Sequence, residues 1–187
     1  NTTGASNVAV GRNSLFANIS GTGNTAVGCE AANANTTGNS NVAIGNVALC
    51  SNTTASNNVA VGNLALRAST TGSSLTAIGS GALQANETGA QNTAVGLNSM
   101  NKNTTGASNV GVGVLALACN TTASNNTAVG EKALWKNTTG TLNVAVGHSA
   151  LTTNTTGTNN VAVGKDSLLD NTTGEQNVAI GDTALAN

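Results

Sequence analysis

Few side chains in this chain of 187 residues could do chemistry, and their spacing argues against it. His148 is the only histidine, so neither a His-based metal cluster nor a Ser-His-Asp arrangement can form within one chain. It occupies a variable position, where a solvated surface imidazole is the favoured reading. Glu131-Lys132 and Lys165-Asp166 are sequence neighbours on turns. Exposed pairs of that kind contribute little, and neither supplies a carboxylate dyad. The glycines are not followed by Lys in a Walker-type pattern, which argues against a phosphate cradle. Phe16 and Trp135 are candidate surface contacts, since an exposed aromatic ring can carry a ligand. Single exposed apolar residues are nevertheless normal. The chain is therefore expected to be non-catalytic and to need no cofactor and no metal.

Composition points the same way. Charged residues make up 7% and aromatics 1%, with 23 Gly and no Pro, against roughly 25% charged in an ordinary domain. Six Lys and Arg and a net charge of −1 argue against binding nucleic acid or an anionic membrane. No run approaches 18 apolar residues, so no membrane insertion is expected. The first residues carry no basic n-region or apolar h-region, so no signal peptide is expected in them.

The order that composition hides is a period. Gly11, Gly28, Gly45, Gly62, Gly79, Gly96, Gly113, Gly130, Gly147, Gly164 and Gly181 recur every 17 residues, and 187 is 11 × 17. The unit reads N-T-T-G-x-x-N-[VT]-A-[VI]-G-x-x-[AS]-L-x-x. So short and strict a repeat predicts one repeat domain over residues 1–187, an all-β parallel β-solenoid of eleven coils. Seventeen residues cannot close a core alone, so neighbouring units must stack. Neither end shows the atypical polar unit that caps a solenoid. The expectation is a segment of a longer fibre protein.

Within the unit, N-[VT]-A-[VI]-G predicts a short strand with alternating faces. The tenth position is always Val or Ile (Val10, Val27, Ile44, Val61, Ile78, Val95, Val112, Val129, Val146, Val163, Ile180) and is assigned to the core. The ninth points the opposite way: Ala9, Ala26, Ala43, Ala60, Ala77, Ala94, Ala128, Ala145, Ala162 and Ala179, with Gly111 once. A free outer face would vary, so uniform smallness there predicts close packing against a second layer or a partner chain. The invariant glycine supplies a positive φ or a sharp corner. A second short strand, x-[AS]-L-x, is expected to add its Leu to the core. Asn at the first and seventh positions, broken only by Ser69 and Leu75, is expected to form amide ladders along the stack. All charged residues but Glu87 fall at the variable fifth, sixth, twelfth, thirteenth, sixteenth and seventeenth positions, which should face water.

Cys29, Cys50 and Cys119 fall at different positions of the unit. Cys119 lies about four coils from Cys50, roughly 19 Å at one strand spacing per coil, beyond the reach of a disulfide. An odd count fits a chain made in a reducing compartment. Ten units open on an N-x-[ST] sequon, and Asn125 opens another. The ladder explains these asparagines better than glycosylation does.

The N-V-A-[VI]-G-x-x-[AS]-L run resembles the head repeat of trimeric autotransporter adhesins of the YadA type, whose units carry an S-V-A-I-G-like strand. The N-T-T-G…N-[VT]-A-[VI]-G array is similar to stretches of phage tail fibres and large bacterial surface proteins. The resemblance covers the whole chain and implies a left-handed parallel β-roll with three chains side by side. In that picture the alanine file from Ala9 to Ala179 would be the interface. It implies a structural or adhesive fibre segment, extracellular on a cell surface or virion, that associates with itself and touches a host-surface glycan or protein. The alternative is a regular-surface binder such as an ice-binding β-solenoid, using the file Thr2, Thr36, Thr53, Thr70, Thr104, Thr121, Thr138, Thr155 and Thr172.

Overall fold

The computed structural model describes all 187 residues and is a parallel β-solenoid without helix. Eleven three-residue strands run from β1 (Val8–Val10) to β11 (Val178–Ile180) and form one sheet in sequence order. The register repeats without slip, so Val42 pairs with Val59, Ala43 with Ala60 and Ile44 with Val61. β-branched residues at the eighth and tenth positions favour this extended segment.

Glycine ends each strand for two reasons. Gly62 has φ +137° and Gly96 φ +132°, a region open to glycine alone. A Cβ on Gly62 would also lie 2.6 Å from the carbonyl carbon of Gly79 in the next coil. The corner glycines thus stack backbone on backbone.

The expected second strand does not form. The twelfth to seventeenth residues are a run of turns in which the thirteenth and fifteenth take left-handed φ, as at Val47 (57°), Leu49 (51°), Leu64 (59°) and Leu66 (51°). This interrupts the period-two alternation, so Ala48 and Leu49 both point inward despite being neighbours. Leucine is not a residue that visits this region routinely, so nothing in the residue types announces the turn. The inward direction of the leucines agrees with the sequence: Leu49, Leu66, Leu83, Leu117, Leu134 and Leu151 are all fully buried.

The two faces of the sheet are the reverse of the expectation. Ala26, Ala43, Ala60, Ala77, Ala94, Ala128, Ala145 and Ala162 are fully buried and Ala179 nearly so. They point into the coil and pack with the Ala/Ser and Leu files of the turn run. Ala9, in the first coil, is exposed. The alanine file is therefore a core and cannot serve as the outward interface. The tenth-position residues face out: Val10, Ile44, Ile78, Val129, Val146 and Ile180 are exposed, and Val27, Val61, Val95, Val112 and Val163 half-buried. The physical reason is lumen size. A coil of this perimeter already encloses a Leu and a second Ala, leaving room opposite them for a methyl group and no more. Gly111 shows how tight the fit is. Its neighbours in the preceding coil are Ser99 and Met100 instead of Ala and Leu, and a Cβ there would lie 2.8 Å from Ser99 Oγ.

Candidate functional site

The surface with the most functional content is the outer face of the sheet. Eighth-position Val and Thr and tenth-position Val and Ile form two parallel files along its whole length, and none of these residues is charged. At about 4.8 Å per strand the strip is roughly 50 Å long. Its residues are exposed or half-buried, with Ile44 40% and Ile78 41% accessible. Parallel sheets are ordinarily covered on both faces, and here one face lacks a cover from its own chain. Sequence reasoning missed this surface because it turned the strand over.

Behind the sheet, the asparagines form two ladders. Asn35 Nδ2 donates to Asn18 Oδ1 at 2.9 Å and to Gly38 O at 3.1 Å. The backbone N–H of Asn41 donates to Asn24 Oδ1 at 3.0 Å, and Asn24 Nδ2 to Gly38 O at 2.8 Å. The fourth-position carbonyl thus accepts from both ladders. A carbohydrate on a buried first-position asparagine would displace these bonds, so the folded coil excludes it. Asn125 is exposed, unlike the first-position asparagines from Asn18 to Asn154.

The threonine files separate by role. Second-position hydroxyls are tied down, with Thr36 Oγ1 donating to Thr53 O at 2.9 Å and Thr138 Oγ1 to Thr155 O at 3.0 Å. The second-position threonines from Thr2 to Thr155 are consequently part of the scaffold, and Thr172, in the last coil, has no following coil to bond. Third-position residues, from Thr37 and Thr54 to Thr156 and Thr173, are all exposed.

The remaining candidates are not brought together. Phe16 is 73% exposed and Trp135 half-buried, on the same file but seven coils apart. Lys136 Nζ lies 5.9 Å from the Trp135 ring centroid. His148 Nδ1 sits 3.9 Å from Asp166 Oδ1, and Lys165 Nζ 3.2 Å from Asp166 Oδ2. Asp166, through that hydrogen bond and its charge, raises the Lys165 ammonium above its ordinary value, and Asp182 adds to the effect. Glu131 and Lys132 pair at 3.8 Å. The three cysteines are unpaired. Arg12 Nη2 donates to Cys29 Sγ at 3.2 Å. Burial pushes the Cys50 thiol above its ordinary value; Glu30 adds to the rise and Arg67 opposes it. No cluster of His, Cys, Asp and Glu has the geometry to hold a metal ion. The one concavity, about 340 Å³, lies at the last coil between Leu168, Leu185, Asp170 and Asn171.

No protein family, curated protein or solved structure matches the chain.

Proposed function

We propose that this chain is a non-catalytic structural segment of an extracellular fibre, a phage tail fibre or a bacterial surface filament, and that three copies associate through the outer faces of their sheets. One observation carries the reading: an uncharged strip of Val, Ile and Thr runs the whole length of a parallel sheet with nothing from its own chain over it. Exposed apolar strips of this length mark interaction surfaces. A second copy fits it best, because the strip is self-similar at every strand spacing and carries no charge to repel its equivalent. Closed threefold symmetry would cover all three strips equally, and the resemblance to YadA-type heads supports three rather than two. Variable positions on the turn face, with Phe16 and Trp135 among them, would remain free for a host-surface glycan or protein.

Sedimentation equilibrium tests the proposal. The wild-type chain should sediment as a trimer. Ile78→Lys or Val95→Lys should shift it to monomer, with the circular dichroism spectrum unchanged. A monodisperse wild-type monomer would overturn self-association, and a dimer would overturn the threefold arrangement.

A second reading, a regular-surface binder such as an ice-binding solenoid, is favoured by the exposed third-position file, Thr37, Thr54, Thr71, Thr88, Thr105 and onward, which repeats at the strand spacing. Inhibition of ice recrystallisation by the wild-type chain, lost on replacing Thr88 and Thr105 with Lys, would support it. No inhibition would end it.

A further inference from the structure

Four side-chain links recur between neighbouring coils. A first-position Asn Nδ2 donates to the preceding Asn Oδ1. A seventh-position backbone N–H donates to the preceding seventh-position Asn Oδ1, and that Asn's Nδ2 donates forward to a fourth-position carbonyl. A second-position Thr hydroxyl donates to the next coil's backbone. Between coils 7 and 8 all four are present, at Asn120–Asn103, Asn126–Asn109, Asn109–Ala123 and Thr104–Thr121. Every other interface but one keeps at least three of them.

The exception lies between coil 5 (residues 69–85) and coil 6 (residues 86–102). Only Thr70 Oγ1 to Glu87 O, at 3.2 Å, survives there. Ser69 replaces one ladder asparagine and Leu75 the other, in the same coil. Asn86 Nδ2 keeps only its bond within the coil to Gly89 O, at 3.0 Å. The buried Asn92 has no acceptor for its backbone N–H, because Leu75 offers none. Asn52 Oδ1 and Ser69 Oγ, both buried, are left without partners on the other side of coil 5. The backbone bonds across the seam are intact, for example Thr76 N–H to Asn92 O at 2.9 Å and Gly96 N–H to Ile78 O at 2.8 Å.

In a stack where each coil touches only its neighbours, stability is a sum of interface contributions, and the weakest interface opens first. We propose that the junction of coils 5 and 6 is a built-in opening point, dividing the solenoid into two cooperative blocks, residues 1–85 and 86–187. Opening there breaks the fewest side-chain bonds and exposes the backbone N–H of Asn92, which was already unpaired. Under tension along the stack, the chain yields at this seam before any other.

Native-state hydrogen exchange of the wild-type chain tests it. The amides of Thr76, Leu83 and Gly96, which span the seam, should exchange about tenfold faster or more than those of Val110, Leu117 and Gly130, which span coils 7 and 8. The double variant Ser69→Asn, Leu75→Asn should close that gap without changing exchange between coils 7 and 8. Equal protection at the two interfaces, or faster exchange at a different interior interface, would overturn the proposal. If the double variant does not fold, the wild-type profile alone decides.

Discussion

Val47 carries a β-branched side chain at φ 57°, and Leu64 and Leu115 sit at 59° and 60° in the equivalent place. That region suits Gly and Asn and disfavours branched side chains by about 1–2 kcal/mol. Gly81, Asn13 and Asn98 occupy the same position in other coils, which shows that the turn accepts them. Val47→Asn should therefore stabilise the chain by about 0.5–1 kcal/mol, the relief of strain being partly offset by lost burial of a half-buried side chain. The reverse change, Gly81→Val, should destabilise it by a similar amount, because it places a branched side chain at φ 68° and Asn98 Oδ1 must also move aside. Thermal unfolding of the two variants checks both signs. None of this strain was legible in the sequence, where the thirteenth position reads only as variable. The corner glycines, by contrast, were legible, because one backbone conformation and one close approach both demand the absence of a side chain.

Each coil is held by its ladders as much as by its core. The sequence anticipated the ladders because asparagine recurs at two fixed positions and an amide both donates and accepts, so a file of them can satisfy itself. Removing one rung tests their weight. Asn120→Leu should cost about 2–4 kcal/mol, since it strands Asn103 Oδ1, takes the acceptor from Asn137 Nδ2 and removes one of the two donors to Ala123 O. Chemical denaturation should show that loss with little change in m-value. A cost below about 0.5 kcal/mol would mean that the amides merely fill space. The expected second strand failed at this same scale: A-L neighbours cannot both point inward from a strand, and the left-handed turn that allows it has no signature in residue type.

Across the whole molecule, the sheet has an alanine side packed against leucine and a Val/Ile side without cover. Ala94→Asp and Val95→Asp introduce the same carboxylate at adjacent positions, yet their outcomes should differ. The first buries a carboxylate in a fully enclosed file and should cost several kcal/mol or prevent folding. The second places the carboxylate on the outer strip, so each chain should keep its fold, while the self-association proposed above should fail. Circular dichroism and sedimentation of the two variants separate these effects. Similar destabilisation in both would refute the assignment of faces.

The sequence by itself determined the period, the number of coils, the corner glycine, the two asparagine ladders and the inward leucine. Each follows from a residue type that recurs at one position of the unit, the glycine in all eleven coils, each ladder asparagine in ten and the leucine in nine. Only the tertiary structure decided which side of the strand is the core. Period-two alternation defines two faces without naming the inner one, and both a Val/Ile file and an Ala file can be buried. The choice rests on the width of the lumen. That width is fixed by a turn run of left-handed leucines that brings Ala48, Leu49 and their equivalents in from the opposite wall. With that space occupied, only alanine fits beneath the sheet, and the larger side chains go outside.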